Sequence, residues 1–286
     1  MSLLCIGGQT ATGKTEAAMA VADRFDCVLV SADAMQVYRG FDIGTAKPSR
    51  AEQAAYPHRG IDIRDWDQDY NAAEFAADVD PLLEEHNVVV VGGTGFYFRA
   101  LLTGFAPMPD PDPEVRADIE RSPDLHAALA ELDPVMAQRL HPNDRVRLVR
   151  AIEVCRLSGR RVSEIHDEHA LTVRHPSVRV RMGRENLADR IDRRVLKMMD
   201  AGYLGEVRGL LEEGVPRDCK PMRSLGYKHL AEHLVDGLPL DEAVRRTQRD
   251  TRRFARKQKL MFRSVGGFDV VDPDGVLRAA ELAFGG

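Results

Sequence analysis

The chain has 286 residues, with 40 Lys and Arg against 45 Asp and Glu for a net charge of −5, and 44% of it is hydrophobic. Composition excludes a disordered chain, a collagen-like repeat and a disulfide scaffold, and the length suits one large domain or a core carrying a smaller insertion. Mild net acidity argues against a uniformly basic nucleic-acid binder while leaving room for a local basic face.

In chain order, residues 3–6, 27–30 and 88–91 are short, apolar runs closed by Gly or polar residues, and they predict buried strands. Residues 15–25 and 72–85 carry amphipathic helical spacing between them. Strand, helix, strand, helix, strand with continuous apolar strands implies a parallel sheet covered on both faces. The fold class expected is therefore α/β, a P-loop NTPase-like parallel sheet core over residues 1–108. Pro107, Pro109, Pro111 and Pro113, interleaved with Asp110 and Asp112, mark a boundary, because Asp-Pro repeats resist helix and strand alike. From Pro113 to about Leu171 the pattern is helical, with Pro123, Pro134 and Pro142 read as helix starts, so residues 109–176 are expected to form a helical insertion domain. Residues 177–286 return to the core: residues 178–182 alternate as a strand, helices are expected over 187–202 and 241–263, and residues 268–271 read as a last short strand.

No apolar run reaches the length of a signal or a membrane span, so no membrane partner is expected and the location read is cytoplasmic. Cys5, Cys27, Cys155 and Cys219 are scattered without a CxxC pair and read as reduced thiols. The pairs His229/His233 and His166/His169 lack a third ligand at convincing spacing and read as ordinary surface or core histidines.

Gly8-Gln9-Thr10-Ala11-Thr12-Gly13-Lys14-Thr15 matches G-x-x-x-x-G-K-[ST], and it follows an apolar strand and opens a helix, as a phosphate-binding loop must. Its backbone N–H groups converge on phosphate oxygens, with Lys14 and the Thr15 hydroxyl, through Mg²⁺, neutralising the anion. The motif implies a di- or triphosphate ligand without saying which. At the end of the second strand, Asp33 lies where an open α/β sheet places its ligand crevice, and it can orient metal-bound water, act as a general base or cap a helix. Gln36 can face the same crevice and read an adenine edge. After the third strand a Walker B carboxylate is missing; Gly92-Gly93-Thr94-Gly95 stands there and implies a close backbone approach with one hydroxyl on offer.

Taken together, the phosphate loop, the run Ser31-Ala32-Asp33-Ala34-Met35-Gln36-Val37-Tyr38, Ile43-Gly44-Thr45-Ala46-Lys47-Pro48 and Gly92-Gly93-Thr94-Gly95 resemble the tRNA dimethylallyltransferase family. Pro57-His58, the run from Asn143 to Glu153 and Arg223-Ser224-Leu225-Gly226-Tyr227 extend the resemblance over nearly the whole chain. Departures are Gln9 in place of the family's usual Pro, and Arg59-Gly60 and Trp66 in a stretch that is usually more apolar. The resemblance implies transfer of a dimethylallyl group from its diphosphate to N6 of adenosine 37, beside the anticodon of tRNAs reading codons that begin with U. It assigns Asp33 and Thr94 to catalysis, and Gly8, Gln9, Thr10, Ala11, Thr12, Gly13, Lys14, Thr15 and Arg223 to the diphosphate. Thr15 would reach the metal. Contacts to the tRNA anticodon stem-loop fall to Asp33, Ala34, Met35, Gln36, Thr94 and Val146, Arg147, Leu148, Val149 and Arg150. The target base must leave its stack to react.

Arg190 and Arg194 share a helix face and can point at the diphosphate or at solvent. Between Arg245 and Arg263 nine basic residues meet one acid, Asp250, a segregation that suits a phosphate-tracking surface. Phe254 and Phe262 within it read as core rather than as base-stacking residues. A monomer per tRNA is expected. The competing readings are an ATP-dependent small-molecule kinase, which leaves the Gly-Thr turn and the basic helix unexplained, and a non-catalytic RNA-binding module.

Overall fold

The computed structural model describes residues 1–169 and 173–285. The chain divides into two units, Met1–Thr103 with Val173–Gly286, and Gly104–Thr172.

The first unit is built on a six-stranded, wholly parallel sheet. β1 (Leu3–Gly8) leads into α1 (Lys14–Ala22), β2 (Val28–Ala32), α2 (Arg50–Ala55) and the two-residue β3 (His58–Arg59). After these come α3 (Ala72–Val79), α4 (Leu82–Glu85), β4 (Val88–Gly92) and α5 (Gly95–Thr103). The expected helix over 72–85 is thus two helices, because Pro81 has no N–H to continue the first and instead caps the second. Strand order is β3-β2-β4-β1, continued by β5 (Ser177–Met182) and β6 (Asp269–Val271), so the alternating segment over 178–182 does rejoin the sheet. Leu4, Ile6, Leu29, Val89 and Val91 are almost wholly buried against Ala18, Val21 and Val276. Full burial of such a side chain is worth ~1.5–3 kcal/mol, which is why continuous apolar runs were sufficient to mark these strands.

The sheet is flanked by α11 (Leu187–Asp200), α12 (Tyr203–Glu212), α13 (Tyr227–Asp236), the 26-residue α14 (Leu240–Val265) and α15 (Pro273–Phe284). The register places Gly7, Gly92 and Ala32 level across β1, β4 and β2. Three neighbouring strands therefore end side by side, each releasing its loop at the same edge.

The second unit contains α6 (Pro113–Glu120), α7 (Leu125–Leu132), α8 (Pro134–Arg139), α9 (Arg145–Ser158) and α10 (Val162–Glu168) around a core of its own that includes Leu129, Leu148 and Ile152. Pro113 and Pro134 occupy first-turn positions as expected. Pro123 and Pro142 do not start helices: they precede Asp124 and Asp144, whose carboxylates cap α7 and α9 by accepting from the N–H of Ala127 and Arg147. Leu171, the expected end of the helical run, lies outside the described residues.

Candidate active site

The loop between β1 and α1 turns through positive φ at Gly8, Ala11 and Gly13, the alternation that lets successive amides converge on one anion. Lys14 Nζ donates to the Gln9 carbonyl at 2.6 Å, and Thr12 Oγ1 donates to the same oxygen. Burial lowers the Lys14 pKa to about 8, with the nearby Arg194 charge acting in the same direction.

This loop forms one wall of a cavity of about 750 Å³ at the carboxyl edge of the sheet. Asp33 faces the cavity from the end of β2, two strand spacings from β1, roughly 10 Å. Burial raises its pKa, against the lowering effect of the hydrogen bond that Met35 N–H donates to its Oδ1 and of the Lys14 charge. A cationic wall comes from α11, where Arg190, Arg193, Arg194 and Lys197 all line the cavity, and Arg190 Nε donates to the Ala11 carbonyl. The sequence left Arg190 and Arg194 divided between diphosphate and solvent; the fold turns both toward the phosphate loop.

Gly93 shows why glycines stand where a Walker B carboxylate would be. A Cβ there would come within 2.2 Å of Gln258 Nε2, and that amide donates to the Gly93 carbonyl while its Oε1 accepts from Thr10 N–H. Gln258, buried on α14, thereby ties the phosphate loop to the end of β4. The Gln9 side chain makes a second tie, donating to the Ala255 carbonyl of α14. Sequence reasoning missed Gln258, although it is the one uncharged polar residue between Arg252 and Lys259 and keeps the buried spacing set by Ala255 and Phe262.

The segment over 42–47 hangs from a second missed residue. Glu206 on α12 accepts hydrogen bonds from the N–H groups of Asp42, Ile43 and Gly44 and from the Tyr227 hydroxyl. Gly44 lies so close to the Tyr203 ring that a Cβ would sit 2.3 Å from it. Lys47, with a side chain 1% exposed, closes the segment by donating to the Tyr38 carbonyl and to Asp42 and Asp62.

Gln36 lines the cavity with little exposure, and its amide accepts from Ser31 Oγ and donates to the Thr45 and Ala46 carbonyls, which fixes its place in the wall. Thr94 Oγ1 accepts from Ala34 N–H, which aligns the residue after Asp33, and Thr94 itself is not among the residues facing the cavity. Arg223 is exposed in the turns before α13 and is not among the residues lining the cavity, whose cationic wall comes from α11. In the helical unit Leu148 and Val149 are buried in the core, so their side chains are not presented to a partner. Val146 and Arg147 are exposed, while Arg150 is partly buried and donates to Glu153 and to the Pro109 carbonyl. Ala34 and Met35 are partly exposed beside Asp33.

His229 Nε2 pairs with Asp250 and His233 Nδ1 with the Leu238 carbonyl, and no group of three potential metal-ligating side chains occurs among the described residues. The four cysteines are free. No described helix is long and apolar enough to cross a membrane.

The IPP transferase family profile matches residues 36–265. The chain is 44% identical to the tRNA dimethylallyltransferase 1 of Citrifermentans bemidjiense over 92% of its length and 89% of that protein's. It is 43% identical to the corresponding protein of Syntrophotalea carbinolica, over 96% and 91% of the two chains. Among solved structures, the full-length tRNA isopentenylpyrophosphate transferase of Bacillus halodurans superposes with a TM-score of 0.71 at 32% identity, covering 98% of this chain and 95% of that one.

Proposed function

The chain belongs to the IPP transferase family, and from that premise we infer that it moves the dimethylallyl group of dimethylallyl diphosphate to N6 of adenosine 37 in tRNAs reading codons that begin with U, releasing diphosphate. The observation that carries this reading is the joint opening of the phosphate loop, Asp33 and the α11 cations into one cavity.

The reaction breaks the allylic C–O bond, and its electron pair leaves with the diphosphate. The loop amides, Lys14 and the Arg190 and Arg194 guanidiniums stabilise the charge that grows on that leaving group. Adenine N6 is a weak nucleophile because its lone pair is delocalised into the ring, and it becomes competent as its proton departs. Asp33, across the cavity from the loop, takes that proton as the new C–N bond forms, a contribution of ~10²–10⁴-fold. Burial raises its pKa above that of an ordinary carboxylate, which makes it a stronger base toward the departing proton. Thr94 fixes the backbone behind Asp33 through the Ala34 N–H.

Mg²⁺ fits the donor set. The Thr15 hydroxyl is a hard oxygen ligand opening on the cavity beside the phosphate loop, and Mg²⁺ prefers few protein ligands with phosphate oxygens completing its shell. Thr15 would hold the ion, which when bound supplies further charge neutralisation on the diphosphate. The same reading makes the protein a cytoplasmic monomer that takes one tRNA at a time.

Incubation with radiolabelled dimethylallyl diphosphate, Mg²⁺ and an anticodon stem-loop carrying adenosines at positions 36 to 38 tests the proposal. Label reaches the RNA with the unmodified protein, and Asp33→Ala lowers the rate ~10²–10⁴-fold. Equal rates would remove Asp33 from its role; no labelling, together with ATP-dependent phosphorylation of a small metabolite, would replace the reaction itself.

A further inference from the structure

Phe254 is the one large apolar side chain of α14 that lines the active-site cavity. It is 41% exposed, whereas Phe262, two turns further on, is buried against Phe98 and Phe268. No ring contact with Phe254 occurs among the described residues, and it belongs to none of the buried clusters. Within the next turn of the helix Arg256 and Lys257 are exposed and have no ion pair among the described residues, while the preceding Arg253 pairs with Asp250. One turn on, Gln258 fastens the same helix to the phosphate loop and to Gly93. Phe254 is therefore held at a set place in the cavity lining, partly open to solvent, with unpaired positive charge following it along the helix.

An isolated exposed apolar residue is usually unremarkable. Here its position supplies the missing partner for a problem the reaction poses. A base that leaves its stack gives up its neighbours' faces, and an aromatic ring in the cavity lining returns one of them. The unpaired cations that follow it suit the phosphates beside that nucleotide. The five-carbon prenyl chain is bonded to the diphosphate and must lie between the loop and Asp33. We propose that Phe254 is the stacking platform for the adenine that enters the cavity. This deepens the function proposed above and rests on it.

A double-mutant cycle on binding tests the platform without turnover. Fluorescence anisotropy would measure Kd for two end-labelled stem-loops, one with adenosine and one abasic at position 37, on unmodified protein, Phe254→Ala and Phe254→Trp. Loss of one base–aromatic stack corresponds to roughly 5- to 150-fold in affinity. Phe254→Ala is expected to weaken the adenosine stem-loop by that factor and leave the abasic one within about twofold, with Phe254→Trp restoring the preference. Equal weakening of both RNAs, or no preference for adenosine in the unmodified protein, would overturn the assignment. So would an unchanged RNA affinity accompanied by a raised KM for dimethylallyl diphosphate, which would put the ring against the prenyl chain. Label transfer by the unmodified protein, measured on the same preparation, separates failure of the reaction from failure of the platform.

Discussion

Lys14 and Asp33 share a cavity and are shifted in opposite directions by the same cause, burial, which disfavours the charged form of each. For Lys14 the depression to about 8 means the free protein still carries the charge at neutral pH but loses it just above. Because kcat/KM reports the free enzyme, its value for dimethylallyl diphosphate should fall on an alkaline limb centred near pH 8. Deprotonation there removes a positive charge from the leaving-group site, so the limb descends with rising pH. Bound diphosphate stabilises the ammonium, and kcat measured at saturation should therefore hold to higher pH than kcat/KM. Lys14→Arg, always charged, should be slower overall but flat across the same range. An identical limb in Lys14→Arg would assign it to another group. At the acid end, the raised pKa of Asp33 costs the base its ionised form earlier than an ordinary carboxyl would.

At the scale of the element, α14 shows how far charge counting carries. Nine basic residues between 245 and 263 suggested a wide phosphate-tracking stripe, but the fold neutralises more than half of it. Arg245 and Arg246 pair with Asp241 and Glu242, Arg249 and Arg253 with Asp250, and Arg252 with Asp192 of α11. Arg256, Lys257, Lys259 and Arg263 are exposed and have no ion pair among the described residues. RNA affinity should accordingly fall with salt with a log–log slope set by these four rather than by nine, about −3 from α14 at roughly −0.7 to −0.9 per phosphate contact. Replacing Lys257 or Arg256 by Ala should flatten the slope by about 1, while Arg245→Ala should leave it within error. A slope that responds equally to both would mean that the N-terminal half of the helix also grips RNA. The same contrast explains what was legible in the sequence. Apolar runs marked β1, β2 and β4, alternation marked β5, and the phosphate loop marked itself, because each signal is contiguous. Glu206 and Gln258 act on backbone groups more than 160 positions away, and no local pattern announces such a partner. Asp33 was legible by its place after a strand, whereas the engagement of Gln36 with Thr45 and Ala46 depended on how the following segment folds back.

At the scale of the whole molecule, the two units have separate cores, and a buried carboxylate distinguishes them. Glu153 of α9 has a side chain 0% exposed and accepts from Arg116, Arg150 and the Asp112 N–H. Desolvation pushes its pKa up, but those three hydrogen bonds together outweigh it and leave the pKa below the ordinary value. A depressed folded-state pKa means the stabilisation is present above the unfolded pKa and is lost as pH falls through the folded one. The helical unit should therefore loosen on acidification below about pH 4.5, the ordinary glutamate value. Glu153→Gln keeps the shape and removes the charge, at a cost of about 1.5–3 kcal/mol for hydrogen bonds to a charged group. Since the carboxylate serves only its own unit's core, hydrogen exchange should quicken by one to two orders of magnitude at slow-exchanging amides of α7 and α9 and stay unchanged in β1 and β4. Uniform acceleration through the sheet would show instead that the molecule opens as one cooperative unit, and the insertion's stability would then be set by the α/β core rather than by its own packing.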